Sequence, residues 1–314
     1  MAKVLVTGGA GFIGAHLVAR LVARGDEVIV LDNMKRGRRE RVKGLLGGGR
    51  GRLVEDDIRR FDAVADAVRG CDVVFHLAAQ SNVMGAVTDP DYSVTTNVVG
   101  TFNVLRSAAE ARVARVVFTS SREVYGDPRA LPVAEDQPLL AKNPYGASKV
   151  AGEAYCRAFA TTHGLKVEVV RLANVYGPGD SDRVIPLWLT AAQEGRDLVV
   201  YGGEQVIDFL WVGTAVDALL LAADRGLPGP VNIGSGVATK ILELATRVLT
   251  VTRATSGIAR TPARELEVAK FVADTGRMRQ LGLVPEVDPL GHLAELVQAY
   301  PPAWTGKGRV GDSS

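Results

Sequence analysis

Lys3-Val-Leu-Val-Thr-Gly-Gly-Ala-Gly-Phe-Ile-Gly14 runs an apolar strand straight into a cluster of glycines and then into the start of a helix. A strand, a tight turn and a helix N-terminus leave backbone N–H groups converging on one point, with the positive end of the helix dipole behind them. That arrangement seats a pyrophosphate. The glycines read in two registers: Gly9, Gly11 and Gly14 fit G-x-G-x-x-G, and Gly8, Gly11 and Gly14 fit G-x-x-G-x-x-G. Phe12 and Ile13 open the helix in both. A glycine run alone would also suit an ordinary turn. The next apolar run, Glu27-Val-Ile-Val-Leu31, ends in Asp32, about 20 residues on, where an acid accepts hydrogen bonds from the ribose hydroxyls of an adenosine. The two features together predict a dinucleotide site.

Further apolar runs recur at 52–55, 72–76, 115–120 and 166–172, with helical patterns between most of them at 61–68, 95–111 and 145–162. Strands alternating with helices predict an α/β chain built on a doubly wound parallel sheet, covered on both faces. Beyond residue 173, Gly177-Pro-Gly179 and Gly226-Leu-Pro-Gly-Pro230 punctuate helical stretches at 184–194, 214–225, 239–251 and 290–300. These predict a smaller C-terminal substrate-binding lobe. The expected division is 1–173 with 209–233 for the dinucleotide domain, 174–208 with 234–303 for the lobe, and a frayed tail over 304–314.

A formal net charge of +2 over 314 residues gives no reason to expect nucleic acid or a membrane as a partner. The densest basic run, Lys35-Arg-Gly-Arg-Arg39, follows Asp32 at the place where a 2′-phosphate would lie. Asp32 would repel that phosphate, so NAD is expected rather than NADP, and the run reads as a solvated loop. Cys71 and Cys156 are far apart, and His16, His76, His163 and His292 are scattered without ligand spacing, so neither a disulfide framework nor a metal site is expected. His76 ends a strand and reads as a support for the neighbouring loop. No basic n-region precedes a long apolar segment and no window reaches membrane-span length, which makes the cytoplasm the expected location.

Tyr145-Gly-Ala-Ser-Lys149 follows Asn143-Pro144, and its spacing of four puts the phenol and the ammonium a turn apart on one helix face. An ammonium beside a phenol favours the phenolate, and a nicotinamide cation would add to it, so the Tyr145 pKa is expected to fall towards neutrality. A tyrosine in that state serves as a base. An isolated pair of this kind would be an ordinary surface Tyr and Lys; the preceding dinucleotide turn is what distinguishes this one.

At this point the sequence resembles the extended short-chain dehydrogenase/reductase family, and within it the NAD-dependent nucleotide-sugar epimerases and dehydratases, UDP-glucose and UDP-glucuronate 4-epimerases included. The matching pieces are Thr7 to Gly14, Asp32-Asn33, Asp57-Ile58, His76-Leu-Ala-Ala79, Thr96-Asn97, Ser120-Ser121 with Val124-Tyr-Gly126, Tyr145 to Lys149, Arg171-Leu-Ala-Asn-Val-Tyr-Gly-Pro178, Asp208-Phe209 and Asn232-Ile-Gly-Ser-Gly236. The resemblance implies a Rossmann-type fold and tightly bound NAD, with Asn33, Asp57, Ile58, Ala78 and Asn97 among its contacts. It implies that Ser121 bonds the sugar O4 beside Tyr145, that Lys149 orients the nicotinamide ribose, and that Asn174 contacts the phosphates of a UDP-sugar. Tyr145 would then take the O4 proton while the C4 hydride leaves, giving a transient 4-keto sugar. Relatives pair as homodimers through two long helices, here 95–111 and 145–162.

The step after the oxidation separates the branches of the family. In 4,6-dehydratases the stretch resembling Ser121-Arg122-Glu123 carries an Asp and a Glu as acid and base. Glu123 matches, but Arg122 stands where the Asp belongs, and an arginine does not give up its proton. Epimerisation is therefore the leading expectation. A guanidinium near C6 could pair with a carboxylate there, which favours UDP-glucuronate going to UDP-galacturonate; the alternative is that Arg122 binds Glu123 or Asp127 and the substrate is UDP-glucose or UDP-galactose. A decarboxylase or net dehydrogenase releasing another product, and a dinucleotide-sensing regulator, are the rival readings. Two departures touch the substrate end. Ile207-Asp208-Phe209 lacks an arginine that many relatives place before the Asp, leaving Arg264, with Gln205 or Arg183, to hold the diphosphate. Phe271 falls at a position that in hexose epimerases gates the C2 substituent. Trp188 and Trp211 read as packing at the lobe interface.

Overall fold

Residues 1–300 are described by this computed structural model; the tail expected at 304–314 lies outside them. The first half runs β1 Lys3–Thr7, α1 Phe12–Ala23, β2 Glu27–Asp32, α2 Glu40–Lys43, β3 Gly51–Glu55, α3 Phe61–Val68, β4 Val73–His76, α4 Val83–Thr88 and α5 Pro90–Val94. A π-helical turn at Thr95–Gly100 leads into α6 Thr101–Glu110, followed by β5 Arg115–Ser121, a 3-10 turn at Arg122–Tyr125, α7 Pro144–His163 and β6 Val167–Leu172. The second half contains β7 Asn174–Tyr176, α8 Val184–Gln193, β8 Leu198–Tyr201, β9 Val206–Ile207, β10 Phe209–Trp211, α9 Val212–Arg225 and β11 Val231–Ile233. It closes with β12 Thr239–Lys240, α10 Ile241–Thr252, β13 Ile258–Thr261, α11 Gly276–Gln280 and α12 Leu293–Ala299.

The seven-stranded sheet has the order β11-β6-β5-β4-β1-β2-β3, parallel throughout. Strands buried on both faces read as continuous apolar runs, which is why β1, β2 and β5 show no alternation. Leu17, Val18 and Leu21 of α1 join Val216 and Leu219 of α9 on one face, and Val64 of α3, Leu105 of α6 and Phe159 of α7 cover the other. The chain winds outward from β1 in one direction and from β4 in the other, so the carboxyl ends of these two strands open a crevice at the reversal point. A third apolar cluster, with Ile185, Leu189, Val200, Leu244, Val248 and Leu293, packs α8, α10 and α12 together. Trp211 touches both this cluster and the one under α1, as expected of an interface residue, whereas Trp188 belongs to the third cluster alone.

Several sequence motifs acquire a physical reason here. Asp208 is fully buried and accepts hydrogen bonds from Ser235 N and Oγ, Gly236 N and Ala273 N, pinning three segments at the sheet edge. Arg171 of β6 makes a bidentate pair with Glu153 of α7 at 2.8 and 2.6 Å and donates to the Tyr125 hydroxyl, which donates in turn to Asn232 on β11. The expected helix at 95–111 is preceded by a turn begun at Pro90 and widens through the π turn. The one expected at 239–251 begins only at Ile241, because Thr239–Lys240 pairs antiparallel with β9.

Candidate active site

The glycine turn resolves the two registers. Gly8 sits at φ +72°, and a Cβ there would lie 2.6 Å from Ala78 N; a Cβ on Gly14 would lie 2.2 Å from Gly8 O. A Cβ on Gly11 would meet only Gly8 O, at 3.1 Å, and otherwise project into space. Gly9 instead packs under Val30. Gly8 and Gly14 are therefore the glycines that let the turn close on the backbone, and Gly11 leaves its face clear. With Phe12 and Ile13 they line a cleft of ≈ 1740 Å³ that opens from the crevice between β1 and β4.

Asp32 lies in the same wall, its carboxylate held by the backbone N–H groups of Ala10 and Met34, each at 3.0 Å. Burial raises its pKa, against those two hydrogen bonds. Asn33, Ile58 and Ala78 also line the cleft. The Asp57 carboxylate is bound by Arg59 and by Asn33 Nδ2, and its chain neighbour Asp56 also lines the wall. Asn97 is buried and bonded to Gln80 O, Gln80 N and Ser148 Oγ, and its chain neighbour Thr96, in the same π turn, lines the cleft. The basic loop is engaged within the chain, with Lys35 over the Tyr92 ring, Arg36 on Ser81 and Asp182, and Arg39 paired to Glu55. An open glycine face, an acid at the ribose position and paired neighbouring cations fit NAD.

Asn143 caps α7 by accepting from Gly146 N at 2.9 Å, and Pro144 occupies its first turn, which fixes where Tyr145 projects. Tyr145 and Ser121 line the same cleft, where the Ser121 hydroxyl favours the phenolate, and Ser121 Oγ accepts from Glu123 N at 3.2 Å. Lys149 donates to Thr119 O at 2.8 Å. Burial pushes its pKa down to about 8, with Cys156 and Glu153 pulling the other way. The expected fall of the Tyr145 pKa is not what these side chains produce. Burial raises it, opposed by Ser121, Arg183 and Arg122, while Glu123 adds to the rise. The Lys149 ammonium is directed at the β5 carbonyl rather than at the phenol.

The remaining predicted contacts also meet this cleft. Arg122, Glu123 and Asn174 lie beside Tyr145, Arg183 is at the N-terminus of α8, and Gln205 and Arg264 are farther along. Of the two partners weighed for Arg122, a substrate carboxylate or a neighbouring acid, the structure supplies Glu123, with Nη2 2.9 Å from Oε1, and Arg122 Nε donates to Asn174 Oδ1. Arg264 stacks 3.8 Å from the Tyr201 ring centroid, Gln205 bonds back to Tyr201 O, and Arg183 reaches Asp180. Phe271 is buried against Tyr125, with the guanidinium of the cleft residue Arg122 5.9 Å from its ring centroid, and Val268 lines the wall. Among the described residues no group of three His, Cys, Asp or Glu could hold a metal, and no helix is long and apolar enough to cross a membrane.

The sequence model of the NAD dependent epimerase/dehydratase family matches residues 4–234. This chain belongs to that family. Over 307 residues, 95% of this chain and 98% of the relative, it is 35% identical to a UDP-glucose 4-epimerase of Mycolicibacterium smegmatis. Its fold matches that of the UDP-glucose 4-epimerase of Thermotoga maritima, solved with UDP-glucose, at a TM-score of 0.90 and 31% identity, covering 95% of this chain and 98% of the other. It also matches the dTDP-glucose 4,6-dehydratase DesIV of Streptomyces venezuelae, solved with NAD bound, at 0.90 and 34%, covering 95% and 96%. The NAD dependent epimerase/dehydratase family thus accounts for the fold and the cofactor. Among the family member's cleft residues, Thr96 and Thr119, whose hydroxyls have no partner, were not foreseen from sequence, nor was buried Asp180. Only contacts between distant segments reveal them.

Proposed function

We propose that this chain is an NAD-dependent UDP-hexose 4-epimerase working through a transient 4-keto sugar. The observation that carries the reading is that one cleft gathers Tyr145, Ser121 and Lys149 with the glycine turn, beside an arginine where elimination would need a proton donor. Bound NAD supplies the acceptor and donor for the C4 hydride. Ser121 and Tyr145 hold O4 between them, and Tyr145 removes its proton as the carbonyl forms and returns it afterwards. Burial keeps the phenol protonated until positive charge arrives in the cleft, to which Arg183 and Arg122 already contribute. Lys149, anchored on Thr119 O, holds its ammonium over the Phe118 ring at the floor of the cofactor site. In this reading Arg264, Arg183 and Asn174, which line the same cleft, would bind the UDP diphosphate and cover for the arginine absent at Ile207.

UDP-glucose and UDP-galactose are the substrates we favour, because the Arg122 charge is already balanced by Glu123. One observation supports UDP-glucuronate as the second reading: Arg122 lines the cleft and its Nη1 makes no hydrogen bond to the described residues. The division into a cofactor domain (1–173 with 209–233) and a sugar-nucleotide lobe is part of the proposal, supported by the separate third core cluster. So is a homodimer through the π turn, α6 and α7, on which Val99, Phe102 and Tyr155 are exposed apolar side chains. Proton NMR of the purified protein with UDP-glucose in one tube and UDP-glucuronate in another tests the reading. New galacto-configured anomeric signals in the first support it, signals only in the second move the substrate to the hexuronate, and silence in both after added NAD refutes it.

A further inference from the structure

A 4-keto sugar carries a hazard: the carbonyl acidifies the proton on the adjacent C5, and any free carboxylate within reach can remove it. Glu123 is the carboxylate best placed to do so. It lines the cleft, is buried, is tied through its backbone N–H to Ser121 Oγ, and is the acid whose charge acts on Tyr145. Both of its oxygens are occupied. Arg122 Nη2 sits 2.9 Å from Oε1, and Asn143 Nδ2 donates to Oε2 at 2.8 Å. Asn143 is fixed in turn by capping α7, and Arg122 by its Nε bond to Asn174.

We propose that Arg122, with Asn143, clamps Glu123 so that it cannot act as a base on C5, and that this clamp keeps the reaction an epimerisation. The inference rests on the 4-epimerase reading. Freed, a Glu123 oxygen would take the C5 proton while the C5–H electron pair forms the C4–C5 double bond and leaves the charge on O4. Return of a proton from solvent restores the sugar with a solvent hydrogen at C5. Where C6 bears a hydroxyl, the same enolate can instead expel it, the departing hydroxide taking a proton from Glu123, for a net loss of one water. Arg122 suppresses both outcomes by pairing its charge with the carboxylate that would act as the base, and its guanidinium cannot serve as the acid.

The test is turnover of UDP-glucose by the holoenzyme in deuterium oxide, following the H5 signal against the number of epimerisation events. Wild type should retain H5 through at least a hundred turnovers. Arg122→Met should exchange H5 at least tenfold more per turnover, Arg122→Lys should restore retention, and adding Glu123→Gln to Arg122→Met should abolish the exchange. A merely structural role for Arg122 would slow turnover without changing that ratio. Full H5 retention in an active Arg122→Met enzyme overturns the proposal. So does complete loss of turnover in both Arg122 variants, because Arg122 would then serve the hydride step itself. If wild type makes no epimer at all, it is the 4-epimerase reading that fails.

Discussion

Lowering the pH from 7 to 5 should cost the fold about 2 kcal/mol through His76 alone. His76 ends β4, fully enclosed, and its ring nitrogens contact Thr7 Oγ1 at 2.7 Å and Thr101 Oγ1 at 2.9 Å. Because Thr7 Oγ1 already accepts from Ala78 N, its own hydrogen is free for His76 Nδ1, which leaves Nε2–H to donate to Thr101. The ring is thus held neutral, and burial, with the positive Lys149 adding to it, pushes its pKa from 6.5 down to about 3. An unfolded chain binds a proton at His76 below pH 6.5 that the fold refuses until about pH 3. Stability is therefore intact above the unfolded value and lost progressively as pH falls through this window. At pH 5 the unfolded group's pKa lies about 1.5 units above the solution pH, and at about 1.4 kcal/mol per unit this gives roughly 2 kcal/mol. Urea unfolding of wild type and His76→Asn at both pH values isolates this contribution from the other carboxylates. The wild type should lose about 2 kcal/mol more than the variant. A difference below about 0.5 kcal/mol would refute the buried neutral imidazole.

Three further outcomes rest on the same geometry. Tyr145→Phe should lower kcat by about 10²- to 10⁴-fold with NAD still bound, as measured by NMR turnover and cofactor released on denaturation; a loss below about tenfold would remove Tyr145 from the proton path. Gly14→Ala places a Cβ 2.2 Å from Gly8 O, so the purified variant should carry no NAD while the circular dichroism of the sheet and helices persists. Arg171→Met strands Glu153 in the interior and should destabilise by about 3–5 kcal/mol, whereas the double change Arg171→Met with Glu153→Leu should recover most of it in urea titrations.

The sheet was legible because its cause is local. Each strand buried on both faces is an apolar run, the glycine turn is one contiguous stretch, and the Asn143-Pro144 cap acts on Gly146 N a few residues away. The cofactor-side contacts were legible to the extent that they lie on that turn. What the Asp57 and Asn97 side chains bond to was not legible, because it depends on segments the fold brings together, Asn33 in one case, Gln80 and Ser148 in the other. The packing of Phe271 on Tyr125 was hidden for the same reason. The direction of the Tyr145 pKa depends on burial, and the helical spacing to Lys149 carries no information about where its ammonium points.

Conversion of UDP-glucose labelled with deuterium at C4, with no free NAD present, tests the central claim most directly. A hydride taken up and returned within one cleft predicts UDP-galactose that keeps its deuterium at C4, with no rise in absorbance at 340 nm. UDP-galactose without the label, or a stoichiometric rise at 340 nm with no epimer, would contradict it.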